Sequence, residues 1–231
     1  MEIMAMVPTY NEAGNIRQLI TAILALPLDA GVLVVDDNSP DGTARIVSEL
    51  AESEPNRVAL LLRTENRGRG RAGIEGFKKA LAMGAQFVVE MDGDMSHAPR
   101  FITEFRRAIE NADVVIGSRY VDGGKDESRT FMRRAVSSFA RKYLAFVLGV
   151  NVQDPTSGFR MFRREALEKI LPCLTARDPF IVTEVLFHLK KNGFKIAECP
   201  IEFMPRGAGA SKLKPSTLFK YLLRVWKLKL L

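Results

Sequence analysis

The chain has 231 residues, 47% of them hydrophobic and 26% charged, which suits one large α/β domain with a proper core and excludes a disordered polymer. No run reaches the ~18 apolar residues of a membrane-spanning helix, and Met1 leads straight into a strand-like run, so no signal peptide is expected. The two cysteines, Cys173 and Cys199, show no metal-ligand spacing and point to a reducing, cytosolic compartment. The net charge of +7 is unevenly placed. After Glu202 there is no acid, and Arg206, Lys212, Lys214, Lys220, Arg224, Lys227 and Lys229 carry the whole excess, leaving a formally neutral body. Such a tail points to an anionic partner: a membrane surface, nucleic acid or a phosphate ligand.

Residues 2–7 read as a first strand, followed by the polar turn Pro8–Asn15 and a helix over 15–26. A second buried strand, 31–35, ends in Asp36-Asp37-Asn38-Ser39-Pro40-Asp41-Gly42-Thr43, and a helix covers 41–53. The third strand, 58–62, leads into Asn66-Arg67-Gly68-Arg69-Gly70-Arg71, a loop rich in glycine and arginine before a helix of 71–83. Its glycines could let backbone approach a nucleotide and its arginines add phosphate or membrane contacts; a solvated loop is the alternative. The fourth strand, 84–89, runs into Glu90-Met91-Asp92-Gly93-Asp94-Met95-Ser96-His97-Ala98-Pro99, and Pro99 opens a helix to 110. A fifth strand covers 113–117. Strands alternating with helices predict a mostly parallel sheet with helices on both faces.

Beyond Gly117 the regularity breaks. A polar loop at 121–129 precedes an amphipathic helix over 130–148, and the loop 153–160 returns to a short strand. Helices over 165–171 and 181–192 and an edge-type strand over 194–200 follow. Residues 206–212 are expected to be flexible and basic. The tail, 215–231, reads as a helix with Lys220, Arg224 and Lys227 on one face and Leu218, Leu222, Val225 and Trp226 on much of the rest. That composition suits a membrane interface, with docking on the protein's own surface as the alternative. With no repeat or low-complexity linker, the division expected is a domain over 1–214 and a basic tail over 215–231.

The chemistry gathers at strand ends, where ligands bind in open α/β sheets. Asp92 and Asp94 sit one residue apart between a strand and a helix, and would hold a hard divalent cation that in turn holds phosphates. An ordinary Asp-Gly turn is the competing reading. No GxxxxGK loop exists, and the Gly68-x-Gly70 stretch lacks the full dinucleotide fingerprint, so an ATPase and a dehydrogenase are disfavoured. His97 and His188 read as structural: the first is without a partner in the sequence pattern, the second lies in an apolar helix.

Several stretches then agree in order. Val7-Pro8-Thr9-Tyr10-Asn11-Glu12, Val35–Thr43, Met91–His97, Gly117-Ser118-Arg119-Tyr120, Gly158-Phe159-Arg160 and Gly207–Leu213 together resemble the family 2 inverting glycosyltransferases of the GT-A fold. Within them the chain is similar to the dolichol-phosphate (polyprenol-phosphate) mannose synthases. The resemblance implies a GDP-mannose donor and a dolichyl or polyprenyl phosphate acceptor. It implies that Pro8, Tyr10, Glu12 and Asp37 line the nucleotide pocket, and that Asp92 and Asp94 bind Mg²⁺ or Mn²⁺. Ser96 stands where relatives often carry a glutamine that joins the metal; serine is shorter, so a water could intervene. Arg206 and Lys212 would close over the diphosphate, while Arg119, Arg133 and Ser137 would hold the lipid phosphate.

A phosphate nucleophile is already ionised and needs cations to align it, not a general base. Asp94, Arg119 and Arg206 are therefore the residues expected to carry the reaction. A sugar hydroxyl acceptor would need a base, for which Glu184 and Asp154 stay open beside a buried ion-pair role. The expected setting is the cytoplasmic face of a membrane, held peripherally, with an anchoring subunit or a following membrane segment to complete the enzyme. The alternatives are a related enzyme using another donor such as UDP-glucose or a polysaccharide acceptor, and a non-catalytic, membrane-recruited subunit that binds nucleotide sugar. No nucleic-acid partner is expected: Phe219, Tyr221 and Trp226 are mixed with aliphatics and form no stacking platform.

Overall fold

The architecture was taken from a computed structural model, which describes residues 1–126, 131–204 and 215–230, and of 131–136 and 215–219 the backbone alone. A seven-stranded sheet runs through the middle. Its strands are β1 (Ile3–Thr9), β2 (Ala30–Asp36), β3 (Val58–Leu62), β4 (Phe87–Glu90), β5 (Val114–Ser118), β7 (Arg160–Arg163) and β8 (Ile196–Pro200), in the order β3-β2-β1-β4-β7-β5-β8. All pair in parallel except β7, which lies antiparallel between β4 and β5. The short strand expected after residue 160 is thus inserted into the sheet and separates its two neighbours. The strand expected at the edge, β8, pairs with β5 alone.

Both faces of the sheet are covered, which is why its strands read as near-continuous apolar runs. Side chains alternate across it: Ile3, Ala5 and Val7 enter one core, Met4 and Met6 the other. The first core is closed by α1 (Ile16–Leu24), α2 (Thr43–Ser53) and α4 (Phe101–Ala108). In α1 the buried residues Ile16, Leu19, Ile20 and Ile23 fall at the spacing of a single helical stripe. The second core lies under α3 (Arg69–Ala82), α5 (Phe131–Leu148), α6 (Arg164–Ile170), α7 (Ile181–Lys191) and α8 (Pro215–Lys229). Helix α3 comes close to the sheet at Gly76, where a Cβ would stand 2.7 Å from Met6 Cγ.

Boundaries moved for local reasons. The fourth strand begins at Phe87, not 84, because Gly84 adopts φ +86° and ends α3, its N–H donating to the Leu81 carbonyl. Two further strands, β6 (Lys125–Asp126) and β9 (Glu202–Phe203), pair in parallel beside the main sheet. They are too short to leave a pattern in the sequence.

The tail helix α8 packs against α5 and α7. Val225 and Leu228 are buried, Tyr143 Oη donates to the Leu222 carbonyl, Thr183 and Tyr221 share a hydroxyl hydrogen bond, and Arg224 pairs with Asp178 at 2.6 Å. Lys220, Leu223, Trp226, Lys227 and Leu230 face outward. No helix among the described residues is long and apolar enough to cross a membrane.

Candidate active site

The carboxyl ends of β1, β2 and β4 meet at one edge of the sheet, and the loops that leave them are tied together. Thr9 and Asp36 are paired in register at the ends of β1 and β2. Buried Asp36 accepts from Thr9 Oγ1 (2.9 Å), from Ser39 N (2.8 Å) and from Ser39 Oγ (2.5 Å). Asn11 N donates to Ser39 Oγ, Glu12 N to Thr43 Oγ1 and Ala13 N to Asp41. This lattice holds Pro8, Tyr10 and Glu12 at the edge, with Tyr10 55% exposed and open to a ligand. Four non-glycine residues take left-handed backbone here: Asn11, Asn38, Asn66 and Met95 follow β1, β2, β3 and β4 in turn. Asparagine tolerates that region, whereas Met95 bears the cost of an ordinary side chain, of order ~1–2 kcal/mol.

Met95 strains the backbone inside the acidic motif. The turn from Asp92 to Ser96 lies over β1, and Gly93 permits it: a Cβ there would sit 3.1 Å from Thr9 Cγ2 and 3.3 Å from Glu12 Cγ. Gly93, between Asp92 and Asp94, is thereby placed beside Glu12. The Ser96 hydroxyl donates to Asp94 Oδ1 at 2.5 Å and its N–H to the same oxygen at 3.1 Å. Ser96 therefore orients Asp94, as a donor. His97 has partners that the sequence did not reveal. Its Nδ1 accepts the Asp92 N–H at 3.2 Å, and its ring stacks on Phe159 and meets Phe203 edge-on.

Hard oxygen donors at this turn fit a divalent ion of the magnesium type, which takes one or two carboxylates and leaves its other positions to phosphates and water. The space fits as well: a Cβ at Gly158 would stand 3.6 Å from Asp92 Oδ1, so the glycine leaves that carboxylate uncovered. Among the described residues no cluster of three acidic, histidine or cysteine side chains forms a closed protein cage.

The loop 66–70 is solvated at Asn66 and Arg67 but pinned to the protein at Gly68, Arg69 and Gly70. Its glycines meet protein backbone. A Cβ at Gly68 would lie 2.6 Å from the Arg177 carbonyl oxygen and one at Gly70 2.3 Å from that of Ala176, and Gly70 N donates to Arg177. Asp37, expected in the nucleotide pocket, holds this loop from below: one oxygen pairs with buried Arg63, the other accepts Gly68 N at 2.7 Å. Arg63 is in turn held by Glu75 at 2.9 Å. Arg69 turns inward, its Nη2 donating to buried Glu90 at 2.8 Å and standing 3.8 Å from Asp92 Oδ1. Burial opposes its charge, but Glu90 and Asp92 outweigh that, and its pKa lies above the usual arginine value. Arg160 sits beside Glu90 in the β4–β7 register, fully buried, bonded to the carbonyls of Val182 and Pro155. Complete burial pulls its pKa down to about 10, so it stays charged at neutral pH, facing Glu90 and Asp154.

On the other side of β7 lies a cavity of about 320 Å³ lined by Arg119, Tyr120, Gly124, Asp126, Ser137 and Arg141, among others. Arg119 leaves the end of β5 and is nearly buried. Its Nε and Nη2 donate to Asp154 at 2.7 and 2.8 Å, its Nη2 also to Thr156, and its Nη1 faces Asp126 at 3.8 Å. Asp154 is thus an ion-pair partner. Glu184 is likewise engaged, accepting from Thr175 N, Thr175 Oγ1 and Ala176 N at 2.8–3.1 Å. Neither of the acids left open as a base stands ready for that work. Ser137 lines the cavity. The Arg133 side chain, Arg206 and Lys212 lie outside the described residues. The described chain reaches the acidic turn at its residues 203 and 204, where Met204 N donates to the Ser96 carbonyl at 3.2 Å and Phe203 bridges to His97.

Comparison with known proteins follows this geometry. The family model described as "Glycosyl transferase family 2" matches residues 5–171. The polyprenol monophosphomannose synthase of Mycolicibacterium smegmatis is 38% identical over 224 residues, covering 96% of this chain and 84% of that protein. The dolichol-phosphate mannosyltransferase of Pyrococcus furiosus is 38% identical over 233 residues, 99% of this chain but 64% of that protein's length. Among solved structures, the glucosyl-3-phosphoglycerate synthase of Mycobacterium tuberculosis, in complex with Mn²⁺, UDP and glucosyl-3-phosphoglycerate, superposes with a TM-score of 0.69 at 20% identity, covering 99% of this chain and 78% of that one. That likeness is one of fold, the GT-A arrangement of a mostly parallel sheet between helices.

Proposed function

The chain belongs to glycosyl transferase family 2, and from that premise we propose that it moves mannose from GDP-mannose to a dolichyl or polyprenyl phosphate, with inversion at the anomeric carbon. The observation that carries the reading is the pair of arginines, Arg119 and Arg141, that line the cavity, with Arg119 held in place by Asp154. Such a wall suits an acceptor that brings its own negative charge. A phosphate oxygen needs no proton removed; it needs cations that hold it in line with the anomeric carbon. Arg119 supplies one from a fixed position, and Ser137 and Arg141 line the same cavity. Arg133 joins them by the family resemblance.

At the donor side, Asp92 and Asp94 would hold Mg²⁺ or Mn²⁺, which would neutralise charge that builds on the departing diphosphate. Ser96 keeps Asp94 oriented for that ligation. Pro8, Tyr10 and Glu12 form the nucleotide wall, and Asp37 supports the pocket through Arg63 and Gly68. Arg206 and Lys212 would close over the diphosphate, a role supported by the hydrogen bond from Met204 to Ser96. The relatives act on membrane lipids by name, which with the outward Leu223, Trp226, Lys220 and Lys227 supports a peripheral place on the cytoplasmic face of a membrane.

The test is incubation with labelled GDP-mannose, Mn²⁺ and a polyprenyl phosphate, with UDP-glucose and other donors in parallel. Chelator-sensitive formation of lipid-linked mannose is the expected result. Labelled lipid from UDP-glucose alone would overturn the donor, and transfer only to a neutral sugar would overturn the acceptor.

A further inference from the structure

Arg69 is a charged side chain that the proposed reaction leaves without a task. Its direction is fixed by its neighbours in sequence. Gly68 and Gly70 press their backbones against the carbonyls of Arg177 and Ala176, which leaves the side chain between them to run toward the strand ends. There it enters a gap that two other glycines keep open. A Cβ at Gly73 would stand 3.4 Å from Arg69 Nη1, and one at Gly158 3.9 Å from Nη2. Its guanidinium lies between two carboxylates, 2.8 Å from Glu90 and 3.8 Å from Asp92, while its Nη1 is buried with no hydrogen-bond partner. Glu90 is 2% exposed and its neighbour in register, Arg160, gives its own hydrogen bonds to carbonyls.

We propose that Arg69 is a positioning residue that neutralises Glu90 beside the donor site, so that a divalent cation binds weakly to the bare protein and firmly only together with a nucleoside diphosphate. The inference rests on the reading of Asp92 and Asp94 as cation ligands. Without Arg69, Glu90 would keep only the Arg160 charge beside it, add negative potential next to Asp92 and strengthen cation binding before any nucleotide arrives. Without Glu90, Arg69 would stand uncompensated against Asp92 and weaken it. The two losses act in opposite directions because the charges have opposite sign, and losing both returns the local charge to its starting value. A unit charge about 6 Å from a divalent ion shifts affinity about tenfold even when it is screened as in bulk water, at an effective dielectric of about 80.

The experiment is titration of the full chain with Mn²⁺, read from the free-ion electron paramagnetic resonance signal, with and without GDP. Arg69→Gln is expected to tighten nucleotide-free Mn²⁺ binding about tenfold, Glu90→Gln to weaken it by a similar factor, and the double variant to return within about threefold of the parent. Arg69→Lys, which keeps the charge, is expected to behave as the parent. A loss of shape alone would weaken binding in every variant, and that result overturns the proposal, as does an affinity unchanged within about twofold in both single variants. If Arg69→Gln does not fold, Glu90→Gln and the double variant still carry different expectations, weakened against near-parent binding. If the parent binds no Mn²⁺ even with GDP, the assignment of Asp92 and Asp94 fails first and this inference falls with it. Parent binding that depends on Asp94 but ignores Arg69 and Glu90 overturns this inference alone.

Discussion

Replacing Asp154 by asparagine breaks a buried ion pair on one side only. Asp154 is fully buried and accepts from Arg119 at 2.7, 2.8 and 3.2 Å, the last from the backbone, with Thr156 adding a fourth contact. Asparagine keeps one acceptor oxygen and turns an NH₂ against the guanidinium. Arg119 would then be a buried cation facing only Asp126 at 3.8 Å. Breaking such a pair by removing one partner costs about 3–5 kcal/mol, which for a chain of this size is a fall of about 10 °C in melting temperature. Circular dichroism melts measure it, and the acceptor KM should rise as Arg119 loses its fixed orientation. The double variant Arg119→Met with Asp154→Asn removes both charges and should recover most of the melting temperature while leaving the KM raised. Acidity offers an independent check. Burial by itself would raise the Asp154 pKa, but Arg119 outweighs it and holds the carboxyl below the usual aspartate range. The stabilisation is therefore fully present above the unfolded value of about 3.9 and is lost as pH falls through the lower folded value. The Asp154→Asn protein should lack that acid-limb dependence. A melting temperature within about 2 °C of the parent, with an unchanged acid limb, would refute the reasoning.

Other outcomes follow from single contacts. Ser96→Ala removes the 2.5 Å hydrogen bond to Asp94 and should weaken Mn²⁺ binding with GDP about tenfold, measured by the same resonance signal; no change would remove Ser96 from the site. Gly70→Ala places a methyl 2.3 Å from the Ala176 carbonyl oxygen and should destabilise by at least about 2 kcal/mol in urea unfolding, whereas a solvated loop would tolerate it. Replacing Leu223, Trp226 and Leu230 together by serine spares the buried Val225 and Leu228, so the fold should stand while flotation with anionic vesicles falls several-fold. Equal flotation would take α8 out of the membrane reading.

The comparison of Asp37 with Asp92 shows where sequence reading ran out. Both acids were legible as strand-end residues, because β2 and β4 are apolar runs cut off by Asp, Asn and Gly. That Asp37 would meet Arg63, 26 positions away, was not legible, since nothing local to either residue reports the other. His97 was likewise read without a partner because the Asp92 N–H it accepts lies in a turn whose shape depends on Gly93 fitting over Thr9 and Glu12. The loop 66–70 stands out by its composition, but the partner of its glycines is not legible there. The backbone it approaches belongs to residues 176–178, more than a hundred positions later.

The sequence by itself determined the alternation of strands and helices, the acids and the Ser-Arg pair at strand ends, and the motifs that mark the family, because apolar periodicity and turn chemistry are properties of neighbouring residues. Only the tertiary structure decided that β7 runs antiparallel between β4 and β5, that Arg119 is held by Asp154, that α8 rests on α5 and α7, and that Arg69 points inward to Glu90 and Asp92. Each of these is a pairing of distant segments, set by which backbones can approach closely and which buried charges must find a counter-charge once water is gone.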